Sequence, residues 1–123
     1  MERDIDTISI ILSKEASMKV DTFMDETRTL FEQLELTENS DAKRFVHDMH
    51  ILAIMFYWLV DKGEYKRGSY IASQIEVEAH AFTAKMRVKG LISNYAADTM
   101  DNNISRSVAK KKDELWDKAH PKA

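Results

Sequence analysis

The sequence predicts an all-α protein, a compact bundle of about four helices, from three observations. Only one proline and three glycines occur in 123 residues, and these residues most often interrupt helices. Apolar residues recur at steps of three and four. Residues 51–60 are apolar without a break, so this helix needs cover on every side. The length suits a single domain over residues 1–123.

The first predicted helix spans residues 5–34. It is followed by the turn-forming residues 37–41, where Ser40 or Asp41 is expected to cap the second helix. The second helix is expected to run to about Lys62 and to end at Gly63 in the left-handed conformation. The stripe of the first helix is Ile5, Ile8, Leu12, Ala16, Val20, Phe23, Thr27, Leu30 and Leu34.

The third predicted helix covers residues 64–89 and stops at Gly90, and the fourth covers residues 93–119. We expect helices two and three to form an antiparallel hairpin about Gly63. The third stripe is Ile71, Ile75, Ala79, Phe82 and Met86, and the fourth is Ala96, Met100, Ile104, Val108 and Leu115.

Both middle helices carry a second apolar face opposite their stripe, and the stripe of helix two is Ala42, Phe45, Met49, Leu52, Phe56 and Val60. Helices one and four could cover these faces, or a partner chain could. Four helices in a square bundle need one stripe each, so the doubled faces favour a homodimer or a bound protein. The predicted partner-binding residues are Ile51, Ile54, Trp58, Tyr70, Val77, Ala81 and Ala84, with Val88 on the same side of helix three.

The composition offers little for catalysis. Without cysteine there are no disulfides or thiolates, and three glycines leave no room for a phosphate-binding loop or a nucleophile elbow. We assign no catalytic residue and expect no cofactor. The acidic start is unlike a secretory signal, and ten apolar residues fall short of the roughly 20 that span a membrane. A cytoplasmic protein without membrane contact is expected.

Four polar residues form a hypothetical metal cluster: His47, His50, Glu76 and His80. In a hairpin about Gly63, His47 lies nearly level with His80, and His50 lies level with Glu76. Zinc or iron accepts such nitrogen and oxygen ligands. Against this, His47 points away from the stripe of helix two and His50 lies about 100° from its centre. These residues are then polar flanks of an interface, and no metal is assigned.

Arg44 and His50 are separated by five residues on helix two. This spacing is similar to the arginine-to-histidine signature of HEPN-type ribonucleases, compact helical dimers with the motif at the dimer cleft. The resemblance implies that Arg44 stabilises phosphorane-like charge and that His50 moves a proton. Phe45 stands where that family has a polar residue.

Charge is divided unevenly along the chain. Residues 1–61 hold 6 basic and 13 acidic residues (net −7), and residues 62–123 hold 12 and 8 (net +4), which together give −3. A nucleoprotein subunit is therefore an alternative, although a pI near 5.8 is low for an autonomous nucleic-acid binder. Its contacts would be Lys85, Arg87, Lys89, Arg106, Lys110, Lys111 and Lys112.

The sequence thus favours a non-enzymatic regulatory or adaptor protein that binds another protein through its helices. Inhibitors, antitoxin-like proteins and mobile-element accessory proteins fit this description. The prediction depends on surplus apolar helix faces that occur without a catalytic set of residues.

Overall fold

The computed structural model describes residues 12–121, and these residues form four α-helices without a strand. This confirms the predicted all-α fold with helix packing. None of the four helices is both long and apolar enough to cross a membrane. The helices are α1 (Lys14–Gln33), α2 (Ser40–Asp61), α3 (Tyr65–Val88) and α4 (Asn94–Ala119).

Three helices begin at a side-chain cap. In each, a side-chain oxygen accepts a hydrogen bond from the backbone N–H three residues later. The acceptors are Ser13, Asn39 and Ser93, at 3.0, 3.0 and 3.1 Å. Such a cap satisfies an amide that the helix itself leaves unpaired. The predicted cap of α2 at Ser40 or Asp41 is wrong by one or two residues. Asn39 is extended (φ −73°, ψ 129°), whereas Ser40 is already helical.

The start of α1 also differs from the prediction. Ser13 has extended backbone angles (φ −63°, ψ 159°), so α1 begins at Lys14 and the preceding Leu12 is not helical. Leu12 still packs against the core of α1 and α2. The predicted beginning of this helix at residue 5 lies outside the described residues.

Left-handed residues end the first three helices. Gly63 (φ 75°) and Gly90 (φ 73°) follow α2 and α3, as predicted, and the non-glycine Glu35 (φ 58°) follows α1. The next N–H in each case bonds back into the helix, at 2.8 Å from Leu36 to Phe31 and 2.9 Å from Leu91 to Met86. These bonds satisfy carbonyls that the helix end leaves open.

The structure divides between Glu64 and Tyr65 into two units. In the first unit α1 and α2 pack antiparallel. Asp61 at the end of α2 accepts from the N–H and hydroxyl of Ser13, at 2.9 and 3.0 Å. Near the connection, the rings of Phe31 and Phe45 have centroids 5.9 Å apart. The core between the helices is Val20, Met24, Ala53 and Ile54.

In the second unit α3 and α4 pack antiparallel across the turn at Gly90. The buried row of α3 includes small residues, and its buried Thr83 donates a hydrogen bond to the carbonyl of Ala79 at 2.9 Å. The four buried residues of α4 are Ala97, Met100, Val108 and Leu115. The predicted pairing of helices two and three about Gly63 and the single domain over residues 1–123 stay predictions.

Candidate interaction surface and polar sites

One side of α3 exposes apolar residues along most of its length. Tyr70 is 75% exposed, Val77 60% and Val88 87%, and Ala81 and Ala84 are also exposed. The opposite side is buried and includes Ala72, Ala79 and Met86. We call the exposed side the outer face of α3 and define it as Tyr70, Gln74, Val77, Ala81, Ala84 and Val88.

The outer face of α3 has the spacing of a coiled-coil seam. Its members follow one another at alternating steps of four and three residues, so that each pair of steps makes a seven-residue repeat. A seven-residue repeat averages 3.5 residues per step, which is the spacing that keeps two helices in contact. Gln74 is half-buried and donates to Glu78 at 3.0 Å. Ionisable side chains border the seam, with Glu78 and Lys85 on one edge and His80 and Arg87 on the other.

On α2 the structure separates the three residues predicted to bind a partner. Ile54 is 1% exposed inside the core of the first unit, so its assignment to a free surface is wrong: α1 covers it. Ile51 and Trp58 are half-buried. The indole N–H of Trp58 is buried without an acceptor among the described residues, and Lys62 Nζ lies 5.9 Å from its ring centroid.

His80 is the centre of a polar cluster between α3 and α4. Its Nδ1 lies 2.7 Å from Asp101 Oδ1, and its Nε2 lies 3.1 Å from Ser105 Oγ and 3.9 Å from Glu76 Oε2. An ionised carboxylate only accepts, so Nδ1 carries the hydrogen and donates to Asp101. The Ser105 hydroxyl then donates to Nε2 when the ring is neutral.

This order of carboxylate, imidazole and hydroxyl is also that of a nucleophilic triad. Acyl transfer further needs free donors for the oxyanion, usually backbone N–H groups. Ser105 lies well inside α4 (Asn94–Ala119), where the backbone N–H groups are used by carbonyls four residues earlier. We therefore interpret the cluster as a polar clamp between the two helices. Asp101 and Ser105 were not among the site residues predicted from the sequence.

Replacing His80 with alanine is expected to destabilise the protein. The loss of a hydrogen bond to a charged group typically costs about 1–3 kcal/mol of unfolding free energy, and Asp101 is left without this donor. Urea unfolding measures the change. The matched control is His47→Ala on exposed α2 surface, which should change stability by no more than about 0.5 kcal/mol. Equal losses in the two variants would show that the clamp contributes nothing specific.

The hypothetical metal cluster draws its residues from both units. Within residues 12–121 no group of three His, Cys, Asp or Glu side chains is placed to hold a metal ion. His47 and His50 belong to the first unit, whereas Glu76 and His80 belong to the second. His80 is instead held by Asp101 and Ser105.

Arg44 and His50 lie on different sides of α2. His50 is six residues beyond Arg44, and at 100° per residue this leaves the two side chains about 120° apart around the helix. Arg44 is exposed and His50 is half-buried. Burial lowers the pKa of His50 below its ordinary value of 6.5, Arg28 and His47 also lower this pKa, and Asp21 opposes them. The ribonuclease resemblance stays a prediction without support from this placement.

The lowered pKa of His50 predicts a pH-dependent stability. The unfolded chain takes up a proton near pH 6.5, whereas the folded chain takes it up only at lower pH. Stability is therefore lost as the pH falls from 6.5 through the folded-state pKa. Urea unfolding at pH 5–8.5 should show a shallower loss for His50→Gln than for the unaltered protein. Above pH 7.5 the difference in unfolding free energy between the variant and the unaltered protein should be constant. Curves of unfolding free energy against pH that stay parallel over the whole range would contradict this role of His50.

The basic residues predicted to contact nucleic acid extend from the turn at Gly90 along α4. Arg87 Nη1 is 3.5 Å from Asp98 Oδ1 near the turn at Gly90. Lys112 is fourteen residues beyond Asp98 along α4, or about 21 Å at 1.5 Å per residue. Arg106 is eight residues beyond Asp98, or about 12 Å, so the basic residues of α4 begin nearer to Arg87 than Lys112 lies. The nucleoprotein alternative stays a prediction.

Comparisons of this chain with protein-family models, with curated proteins and with solved structures found no match.

Proposed function

We propose that this chain is a non-enzymatic interaction protein of regulatory or adaptor type that works through the outer face of α3. The exposure of this face is the observation that supports the proposal. Water-exposed apolar rows of this length are uncommon on proteins that act alone, and they typically mark sites of association. The cytoplasm is the proposed location, in keeping with a chain that has no cysteine.

The spacing of the outer face favours a helix as the binding partner. A seam with a repeat of 3.5 residues is complementary to another such seam, because each side chain enters a hole between four residues of the facing helix. Ala81, near its centre, and Ala84, one step further along, are small and allow the two backbones to approach closely, and Tyr70 and Val88 are its ends. A second copy of α3 presents a matching surface, so we propose a homodimer.

The bordering charges favour an antiparallel arrangement of the two copies of α3. In a register centred between Ala81 and Ala84, Glu78 lies beside Lys85 of the partner subunit, and symmetry repeats this pair. The same register brings His80 beside Arg87 of the partner subunit, much as a parallel arrangement brings His80 toward Lys85 of the partner subunit. The two arrangements therefore differ in the ion pair, which only the antiparallel one forms along the seam. Opposite charges at the edges of a seam are known to set helix orientation.

Sedimentation equilibrium of the whole chain tests the proposal. The monomer mass is 14.2 kDa, so the dimer has twice that mass, and the measured mass should rise toward this value over the micromolar range. The change should depend only weakly on salt, because the buried contacts are apolar. If the mass remains at the monomer value up to about 100 μM, any self-association is weaker than ordinary specific association. That result would contradict self-association through this face.

A further inference from the structure

A cleft of about 520 Å³ lies within the second unit, between the first turns of α3 and the end of α4. Its volume falls within the range of roughly 300–1,000 Å³ typical of small-molecule sites. Four of the residues that line it carry rings: Tyr65 and Tyr70 on α3, and Trp116 and His120 at the end of α4.

The rings give the cleft flat apolar walls. Trp116 is 64% exposed although it is the largest side chain type in the protein, and it stacks on His120 with ring centroids 3.8 Å apart and planes inclined by 27°. An exposed indole is suited to stack on a planar ligand, and stacking of a base on an aromatic side chain contributes about 1–3 kcal/mol.

The polar groups of the cleft favour an anion. Lys66 and Lys112 line it, and neither has an ion-pair partner among residues 12–121. None of the ten described residues that line the cleft is acidic, and Ser69 and Ser73 add hydroxyl groups. The first turn of α3 contains no acidic residue, so its backbone N–H groups add to the positive potential.

We propose that this cleft binds a nucleobase linked to a phosphate, with the base stacked against Trp116 and the phosphate held by Lys66 and Lys112. The aromatic walls suit a planar ring, and the two lysines suit an anion. A ligand that carries both groups uses both features of the cleft. The same chemistry occurs in a free nucleotide and in a single-stranded nucleic acid. Ligand binding in the cleft is a different event from dimer formation, which the proposed function assigns to the outer face of α3, although Tyr70 lines the cleft and also begins that face.

Titration followed by ¹H–¹⁵N NMR of the whole chain tests this inference. The protein has two tryptophans, so Trp58 provides an internal control for the indole signal of Trp116. Adenosine 5′-monophosphate should shift the Trp116 signal in a saturable way and leave that of Trp58 in place. Adenosine and inorganic phosphate should each bind at least about tenfold more weakly, because each lacks one of the two contacts.

Lys112→Gln should weaken binding of the mononucleotide about five- to tenfold, which corresponds to one lost charge-assisted contact. The same change at Lys110, which is exposed on α4 but does not line the cleft, should alter affinity less than twofold. If a ten-nucleotide oligothymidylate shifts Trp116 more tightly than the mononucleotide, the ligand is a strand; the reverse order indicates a free nucleotide. Failure of both probes to shift Trp116, or equal effects of the two lysine variants, would overturn the inference.

Discussion

Ala81→Asp is expected to abolish self-association of the protein. Ala81 lies at the centre of the outer face of α3 and is exposed in the single chain. In an antiparallel dimer the substitution introduces one carboxylate per copy into the apolar seam, where the two charges are close together and poorly solvated. Burial of unpaired charge is strongly unfavourable, so we expect the dissociation constant to rise at least about 100-fold.

A matched variant separates this effect from a general effect of the charge. Ala109 is also exposed and helical, but it lies on α4. Ala109→Asp should change the dissociation constant no more than about threefold, because it adds the same charge away from the contact. Sedimentation equilibrium measures both variants, and far-ultraviolet circular dichroism should show unchanged helix content in each. Dimers of equal stability in the two variants would remove α3 from the contact.

Ile54→Ala is expected to cause a large loss of stability without a direct effect on association. Ile54 is 1% exposed and packs with Val20, Met24 and Ala53 between α1 and α2. Truncation of a buried isoleucine removes apolar contacts and leaves a cavity, and such changes cost about 2–5 kcal/mol of unfolding free energy. Urea unfolding monitored by circular dichroism measures the loss.

Ile51→Ala is the control for this prediction, because it makes the same change on the same helix. Ile51 is only half-buried, so its truncation should cost roughly 1 kcal/mol. The two isoleucines looked equivalent in the sequence, where both fall on the side of α2 predicted to face a partner. A larger loss for Ile51→Ala than for Ile54→Ala would contradict the packing of α1 against α2.

The course of the helices could be predicted from local signals in the sequence. Gly63 and Gly90 stop their helices in the left-handed conformation, and the apolar stripe of α3 is buried through Ile75, Ala79 and Met86. The cap of α2 was predicted one or two residues too late because Asn39, Ser40 and Asp41 are all good capping residues. Backbone conformation, which composition does not reveal, selects Asn39.

The choice of helix neighbours was harder to predict. On α2, apolar residues occur all round the helix, so periodicity could not decide whether Ile54 faces α1 or a partner. Residues at equal distances from a turn lie level in a helical hairpin, and the prediction for His80 used the turn at Gly63. About Gly90 the same reasoning pairs His80, ten residues before the turn, with Asp101, eleven residues after it. The hydrogen bond of 2.7 Å joins these two side chains.

The outer face of α3 was predictable because the two sides of this helix differ clearly in sequence. Val77, Ala81 and Ala84 lie opposite the stripe, and the structure leaves all three exposed. The cleft beside Trp116 was not predicted, since it depends on how the end of α4 lies against the start of α3. The lysine run had suggested nucleic acid in general, but only Lys112 of that run lines the cleft.

The most direct test of the proposed antiparallel contact is chemical cross-linking of single-cysteine variants. The natural chain has no cysteine, so each introduced thiol is unique. In the antiparallel register, residues 81 of the two copies are offset by about 4.5 Å along the helix axis and residues 70 by about 37 Å. A short bismaleimide should therefore link Ala81→Cys into a covalent dimer and leave Tyr70→Cys monomeric. Linkage of both variants, or of neither, would contradict the antiparallel contact.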